Sequence, residues 1–483
     1  MFTSTYFLER FQKSRFNKDP ILPVITVATA ATLIYTTCKF ISHKQQQKQN
    51  TAVKEIPSPK CGYPYIGHMW SFGPLPGKTL WIVVDDPELA HKIFVTHGAD
   101  TSYRPYTTYS SKYFSNGARD IAFSQPGKHW DKNRVAALSV LAPKQIKNYL
   151  DSIYRETSDL TTRLLESTKK NGYTDPYKHN ELCFLNVVFK IVYGKRFDAV
   201  DDAEFLQVID MIETSMTFLA LEKDMPDFLP IVAVFDYFAG TQAKMKHFTD
   251  TIRNPAFTRF VKEALLRDGP NVVKSLKEDG FDLPDEDILV LLDKGFNNAA
   301  LLTYLSLSLS LSLRNLAIMC HYPDLQERVS HEIDKPTTYL GLSHTADKDI
   351  EVDGYVLPKG CTIIASMDSM HENPKQYPVH PESFLPERYM NNMKTMQAAV
   401  NGKLDQRDHF NFSFGRRLCI GIYLAEVELF NAFIQVFARC KIEPISKDEY
   451  PDISTARENA GLNILPPSYK VKFIKRQDAL LHV

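Results

Sequence analysis

The feature that most constrains this chain is the stretch 412–421, Phe-Ser-Phe-Gly-Arg-Arg-Leu-Cys-Ile-Gly, which leads into an apolar run that predicts a helix. Cys419 lies where that helix would begin, and the N–H groups of a helix N-terminus favour a thiolate. Gly415 allows a positive φ in the turn, and Gly421 lacks the Cβ that would hold a flat group away from the first helical turn. The stretch therefore indicates a loop that presents a sulfur ligand.

Two other residues of the loop have matching roles. Phe412 can shield the sulfur from water, and Arg417 carries a fork of N–H donors suited to a carboxylate. A buried free cysteine beside a helix is the structural alternative. The spacing F-x-x-G-x-R-x-C-x-G resembles that of the cytochrome P-450 family. The resemblance implies haem b (iron protoporphyrin) as cofactor, with Cys419 as iron ligand and catalytic residue, and with Phe412, Gly415, Arg417 and Gly421 also in contact with the cofactor.

Composition narrows the class of protein. The chain has 483 residues, 44% apolar and 24% charged, so it can bury a large core, and we predict one large domain. Lysine plus arginine and aspartate plus glutamate number 57 each, which gives no overall field for nucleic acid. The seven cysteines form no C-x-x-C pair, which argues against a disulfide framework or a zinc site and indicates a reducing compartment.

The N-terminal part predicts a membrane anchor. Residues 20–38 carry no charge and, as a helix, are long enough to cross the ~30 Å apolar core of a bilayer. We therefore predict an anchor at 1–42 containing a transmembrane helix, a Gln- and Lys-rich linker at 43–56, and a haem domain at 57–483. A removed signal peptide or an ordinary buried helix is the alternative, since threonines weaken the apolar run.

The family resemblance sets the expected fold and location. It implies the cytochrome P-450 fold, mainly α with a small β region, behind an N-terminal transmembrane helix. The charges that flank residues 20–38 do not settle the orientation of the anchor. The placement in the endoplasmic reticulum membrane, with the catalytic domain on the cytosolic side, is therefore an implication of the resemblance.

Three further residues resemble cofactor contacts of the family. Trp130 and Arg134 form W-x-x-x-R, one helical turn apart, which places an indole N–H and a guanidinium on one face. His344 precedes a predicted hairpin at 354–360. The resemblance implies that all three contact haem propionates. Taken alone, a core tryptophan, a surface arginine and a surface histidine would be the ordinary interpretation.

Local patterns predict the elements around these residues. Residues 82–84 read as a short strand and 88–94 as a helix, and apolar spacing predicts helices over 144–267. Within the last range, residues 205–238 are rich in methionine and aromatic side chains. The resemblance makes them the roof of a substrate pocket, although an amphipathic core stripe fits equally well.

The sequence also departs from the family pattern. No acid precedes Thr303 in the A/G-G-x-D/E-T register, and Leu and Ser alternate from 305 to 313. No glutamate is followed three residues later by arginine, so Arg388 lacks the partners that the family's E-x-x-R element supplies. There is no room between Thr79 and Trp81 for the helix and strand that the family places there. A half-satisfied ionic network is costly, so these departures point to an impaired chain.

The resemblance implies insertion of one oxygen atom from O₂ into an apolar small-molecule substrate, with electrons from an NADPH-dependent reductase. Basic residues could present the surface that an acidic reductase contacts: Lys128, Lys132, Lys403, Arg407 and Arg416. One alternative is a haem-thiolate isomerase or dehydratase, which would consume no NADPH. The other is a haem-binding but catalytically impaired remnant or a truncated gene model, for which haem retention is the discriminating measurement.

We expect deletion of residues 1–41 to release the protein into the soluble fraction, because the deletion removes the uncharged segment. Fractionation of cells that express the full and shortened chains measures this. Tight membrane association of the shortened chain would contradict a sole N-terminal anchor.

Overall fold

The computed structural model describes residues 80–220, 223–228, 230–278, 309–322, 340–381, 385, 394–404, 407, 409–453, 458–460 and 463–477. All of them belong to the unit Lys78–Val483. The predicted anchor and linker at 1–56 lie outside these residues. Within the described ranges, no helix is long and apolar enough to cross a membrane.

The described residues are mainly helical, as predicted. In chain order, the α-helices are α1 (Pro87–His91), α2 (Gly98–Thr101), α3 (Lys128–Val140), α4 (Pro143–Ile146), α5 (Leu150–Asn171), α6 (Tyr177–Tyr193), α7 (Ala203–Phe218), α8 (Met225–Phe228), α9 (Pro230–Ala239), α10 (Thr241–Phe248), α11 (Asn254–Leu266), α12 (Val272–Glu278), α13 (Ser310–His321), α14 (Met367–His371), α15 (Met396–Asn401) and α16 (Ile422–Arg439). The π-helical segments are Lys92–Thr96, Thr108–Phe114 and Thr249–Arg253, and the 3-10 turns are Lys147–Tyr149 and Gly415–Arg417.

The strands form small sheets. They are β1 (Trp81–Val84), β2 (His344–Thr345), β3 (Ile350–Val352), β4 (Tyr355–Leu357), β5 (Thr362–Ala365), β6 (Cys440–Pro444), β7 (Glu458–Ala460), β8 (Asn463–Leu465) and β9 (Val471–Lys475). β5 lies between β1, which is parallel to it, and β2, which is antiparallel. The other strands pair antiparallel as β3 with β4, β6 with β9 and β7 with β8.

Two local predictions can be compared with these elements. The strand predicted at 82–84 and the helix after it are confirmed, and the side chain of Asp86 caps α1 by accepting the N–H of Leu89 at 3.0 Å. The hairpin predicted at 354–360 is displaced. Its turn is Asp353–Gly354, where both residues have the positive φ that a two-residue hairpin turn needs.

The helical core confirms the apolar spacing predicted for 144–267. Ile153, Leu160 and Leu164 are fully buried on one face of α5, which packs between α6 and α16. Because α16 follows the cysteine loop directly, this packing fixes where the loop lies.

The end of the alternating Leu and Ser run is helical. Both Ser312 and Leu313 are buried in α13. The Ser312 hydroxyl donates to Asn180 Oδ1 at 2.7 Å, and the Leu313 carbonyl accepts the Tyr469 hydroxyl at 2.6 Å. The buried serine is tolerated because α6 supplies its partner. Residues 279–308, including Thr303, lie outside the described ranges, as do the predictions about Arg388 and about 323–339.

A buried carboxylate holds α5, α6 and the turn after α6 together. Glu156 is 3% exposed and accepts from Arg196 Nε at 2.5 Å and from Asn186 Nδ2 at 3.0 Å. Asn186 in turn accepts the N–H of Phe197 at 2.8 Å. Arg196 also donates to Asp159 at 2.7 Å.

We expect Arg196→Met to lower the free energy of unfolding by about 3–5 kcal/mol, because it leaves the charge of Glu156 buried without its cation. Denaturant titration measures this. The matched control is Arg259→Met, which breaks an ion pair with Glu204 where the arginine side chain is 51% exposed. The control should lose less than ~1 kcal/mol. Equal losses of unfolding free energy in the two variants would show that leaving the buried charge of Glu156 unpaired has no extra cost.

Candidate functional site

The cysteine loop is a tight turn closed by its own backbone. The positive φ predicted for Gly415 is confirmed at 55°. A Cβ at this position would lie 2.2 Å from the carbonyl oxygen of Phe94, so glycine is required by close approach as well. The N–H of Cys419 donates to the carbonyl of Phe412 at 3.0 Å, and the Phe412 ring is buried. The loop is therefore held in one shape before α16 begins.

The surroundings of the Cys419 sulfur act on its proton in opposite directions. Burial raises the pKa of the Cys419 thiol, while a hydrogen bond from the N–H of Gly421 and the charge of Arg134 lower it. Burial has the larger effect. The helix N-terminus therefore lowers the pKa of the thiol, as predicted, but not enough to offset burial. A thiolate here would need a further positive charge such as a metal cation. The φ of Gly421 is −89°, so its backbone does not require glycine.

Arg417 lies next to the sulfur loop and is 7% exposed. Its guanidinium donates to the carbonyls of Ser102 at 2.8 Å, Ile121 at 3.1 Å and Ser124 at 2.6 Å. These bonds fix the loop against the segment 102–124. They use three of the five guanidinium N–H groups.

Trp130 and Arg134 lie on one face of α3, as predicted. Trp130 is buried and donates its indole N–H to the carbonyl of Ile121 at 3.0 Å. Arg134 Nη2 donates to the carbonyl of Leu418 at 2.7 Å, directly before Cys419. The guanidinium carbon of Arg134 lies 5.5 Å from the Trp130 ring centre and that of Arg417 lies 4.5 Å from it. The negative face of the indole partly offsets this concentration of positive charge.

Sequence reasoning missed Arg104, which joins the same group. Arg104 is 6% exposed, and it donates to the carbonyls of Ala122 at 2.9 Å, Leu342 at 3.0 Å and Ser343 at 2.7 Å. Its Nη2 donates to no residue that the structure describes. The available signal was weak: residues 101–119 contain no acid that could pair with this arginine.

His344 is buried between Phe94, whose ring centre is 4.6 Å away, and the carbonyl of Thr101, which its Nδ1 contacts at 2.7 Å. Burial and the charges of Arg104 and Arg417 hold the pKa of His344 well below its ordinary value. The ring is therefore neutral, with Nδ1 as donor and Nε2 as acceptor.

Arg104, Arg134 and Arg417 form what we call the cationic cluster. Burial lowers the pKa of all three guanidinium groups, that of Arg417 to about 10. Repulsion between Arg104 and Arg417, and between Arg134 and Arg417, adds to the effect, and Asp120 opposes it. Several N–H donors of the cluster remain without acceptors in the described part of the chain. The cluster therefore suits a group that carries more than one carboxylate.

The predicted basic surface needs one correction. Arg407 is buried, with its guanidinium donating to the carbonyls of His409 and Ser413 and lying 4.4 Å from the Phe414 ring centre. Its aromatic neighbours and these carbonyls hold it inside, so the expectation that it faces a partner is wrong. The exposed members of the set are Lys128, Lys132, Lys403 and Arg416.

Comparison with known proteins identifies the family. A family model described as Cytochrome P-450 matches residues 64–336 and 335–473. The chain is 24% identical to cytochrome P-450 monooxygenase 64 of Postia placenta over 84% of this chain and 85% of that protein. It is 23% identical to cytochrome P-450 monooxygenase CYP3 of Mycosarcoma maydis, over 83% and 80%.

A solved structure agrees on the fold. A zebrafish cytochrome P-450 determined with abiraterone superposes with a TM-score of 0.65 at 20% identity, covering 84% of this chain and 98% of that one. The family implies haem as cofactor, and O₂, a small-molecule substrate and a redox partner as reactants. The chain thus belongs to the cytochrome P-450 family and is a haem-thiolate monooxygenase, an oxidoreductase.

Proposed function

We propose that Cys419 is the axial thiolate ligand of haem b and that the protein inserts one oxygen atom from O₂ into an apolar small-molecule substrate. The observation that carries the proposal is the cationic cluster beside the cysteine loop. The guanidinium groups of Arg104 and Arg417 are buried and that of Arg134 is half-buried. Arg417 is repelled by both of the others, and the cluster keeps unused donors. Haem brings two propionates, whose charges would relieve this repulsion, and an iron cation, which would favour the thiolate.

The residues of the site fit haem as follows. Arg104, Arg134 and Arg417 would bind propionate oxygens with their remaining N–H groups. The Trp130 ring lies against the guanidinium groups of Arg134 and Arg417 and helps to hold these two in place. Phe412 covers the loop from the protein side, and Gly421 leaves room for a flat macrocycle. When bound, haem supplies the activation of O₂ and the thiolate donates electron density to the iron.

Whether His344 can bind a propionate depends on the protonation of its ring. Its Nδ1 already donates to Thr101, so only the protonated ring could donate a second hydrogen bond, from Nε2, to a propionate. A bound carboxylate would raise the pKa of the ring and the nearby arginines would lower it. We propose that His344 lines the propionate site and donates there only when the carboxylate effect prevails.

For electron supply we propose an NADPH-dependent reductase. The exposed residues Lys128, Lys132, Lys403 and Arg416 support contact with an acidic partner. For location we propose the endoplasmic reticulum membrane with the catalytic domain in the cytosol, supported by the uncharged segment 20–38 and the family resemblance.

An impaired form of the same enzyme is the second candidate. The family model matches two stretches that meet at 335–336, next to the place where the E-x-x-R element is missing from the sequence. The sequence then offers no E-x-x-R partners for Arg388 of the kind that the family resemblance implies. Haem content of the purified chain separates the two candidates, because a remnant with a loose ligand loop retains little haem.

We expect Cys419→Ala to abolish the thiolate-type Soret band of the reduced carbon-monoxide complex, because no other thiol lies in the loop. Difference spectroscopy of matched preparations measures this. Cys440→Ala is the control, since Cys440 is also buried and free but lies at the far end of α16. An unchanged band in Cys419→Ala would refute the ligand assignment.

We expect Arg104→Leu to weaken haem retention about tenfold, which corresponds to the loss of ~1.5 kcal/mol of charged hydrogen bonds. The measurement is haem per protein during competition with apomyoglobin, alongside the unfolding free energy of the haem-free chain. Arg104→Lys is the matched control, which keeps the charge and loses the fork, and it should be intermediate. If haem retention in Arg104→Leu equals that of the unmodified chain, Arg104 is not a propionate ligand.

A further inference from the structure

The π-helical segment Thr108–Phe114 is capped by side chains from a distant part of the chain. The residue before it, Thr107, makes no capping hydrogen bond with its side chain. Instead, Asp227 accepts the N–H of Thr108 at 2.5 Å and its hydroxyl at 2.6 Å. Asp224 accepts the N–H of Tyr109 at 2.8 Å. The start of this segment therefore depends on where residues 223–228 lie.

A third carboxylate extends the same contact. Asp236, in α9, accepts the hydroxyl of Tyr109 at 2.7 Å and an N–H of Gln242 at 3.1 Å. The Tyr109 ring is fully buried and stacks on Phe218 with centres 6.2 Å apart. Three acids from 224–236 thus converge on the first three residues of one π-helical segment.

The two capping acids differ in burial. Asp224 is 4% exposed and also accepts the hydroxyl of Ser110 at 2.5 Å, whereas Asp227 is exposed. A carboxylate charge at Asp224 is therefore costly while the contact is closed, and one at Asp227 costs little. A carboxylate charge therefore opposes the closed contact at Asp224 and has little effect on it at Asp227.

We propose that Asp224, Asp227 and Asp236 form a carboxylate latch that holds residues 223–228 and 230–239 onto Thr108–Phe114, and that the latch loosens as Asp224 loses its proton. The latch itself does not depend on the proposed function. If the segment 205–238 roofs a substrate pocket, as the family resemblance implies, the latch also controls entry to that pocket. Only this control of entry rests on the proposed function.

The direction of the pH effect follows from burial. Burial raises the pKa of Asp224 to about 6 with help from the charge of Asp227, against the lowering effect of hydrogen bonds from Ser110 and Tyr109. In an open latch Asp224 meets water, and its pKa returns toward 3.8. The closed latch thus binds the proton more tightly. It is most stable below about pH 4 and loses that stability as the pH rises through about 6, with opening favoured about 100-fold more at neutral pH.

Other charged groups surround the latch and must be controlled. They are Lys223 and Asp227 beside Asp224, Asp236 in α9, Lys112 and Tyr113 on the π-helical segment, and Lys244, Lys246 and His247 on α10, which packs against that segment. His247 is the histidine of this set and is exposed. His247→Gln therefore tests whether an imidazole is responsible.

The test is hydrogen–deuterium exchange of the full chain from about pH 4.5 to about pH 7.5, corrected for the intrinsic pH dependence of amide exchange. We expect protection of the peptide containing Tyr109 and Ser110 to fall as the pH rises through the lower part of this range and to level off above about pH 6, the pKa of Asp224 in the closed latch. Asp224→Asn should stay protected across the range. Asp227→Asn, the matched control, should still show the fall, shifted to lower pH because the charge of Asp227 raises the pKa of Asp224, and His247→Gln should leave the fall unchanged. The readout does not require haem, so it is independent of the proposed function.

Ser110→Ala gives a second test that does not alter the acid. It removes a hydrogen bond that lowers the pKa of Asp224, so the pH above which protection levels off should rise. Flat protection in the unmodified chain would overturn the proposal, as would an unchanged fall in Asp224→Asn or the loss of the fall in His247→Gln. Equally decisive against it would be an Asp224→Asn chain that is folded by circular dichroism but open at every pH. If Asp224→Asn does not fold, the unmodified chain and Ser110→Ala decide the matter.

Discussion

Arg417 joins the two parts of the chain from which the candidate site is built. Its guanidinium belongs to the cysteine loop, and its three acceptors are carbonyls of the segment 102–124. Backbone carbonyls neutralise only part of a buried positive charge, so this bonding fixes geometry without cancelling the charge. The same segment accepts the indole N–H of Trp130 through Ile121 and an N–H of Arg104 through Ala122, so it brings these groups beside the loop.

The electrostatics of the cluster suggest a protein that is incomplete without its cofactor. Arg104, Arg134 and Arg417 are drawn together by packing and carbonyls, although their charges repel. Arg196, by contrast, is matched by the carboxylate of Glu156. We propose that the propionates of haem supply the negative charge that this cluster lacks. Because such a ligand binds only the folded chain, cofactor retention and stability should be coupled.

Two buried carboxylates, Glu156 and Asp224, differ in how well their negative charge is compensated. Glu156 has a guanidinium and an amide as partners and links α5, α6 and the turn after α6. Asp224 has neutral donors only among its hydrogen-bond partners, so its charge is poorly compensated. The first carboxylate is compensated by an ion pair, while the second makes a contact between two segments sensitive to protons.

The sequence by itself determined the elements that depend on neighbouring residues. The loop with Gly415 and Cys419, the shared face of Trp130 and Arg134, the strand at 82–84 and the helices of 144–267 were all predictable, because short-range sterics and periodicity decide them. The exact turn of the hairpin was missed by a few residues because Asp353 also adopts a positive φ. Only the tertiary structure showed that Arg407 is buried, that Arg104 joins Arg417, and that Asp224 caps Tyr109. In the last two cases the partners are more than a hundred residues apart, and no local pattern records which long-range contacts packing will create.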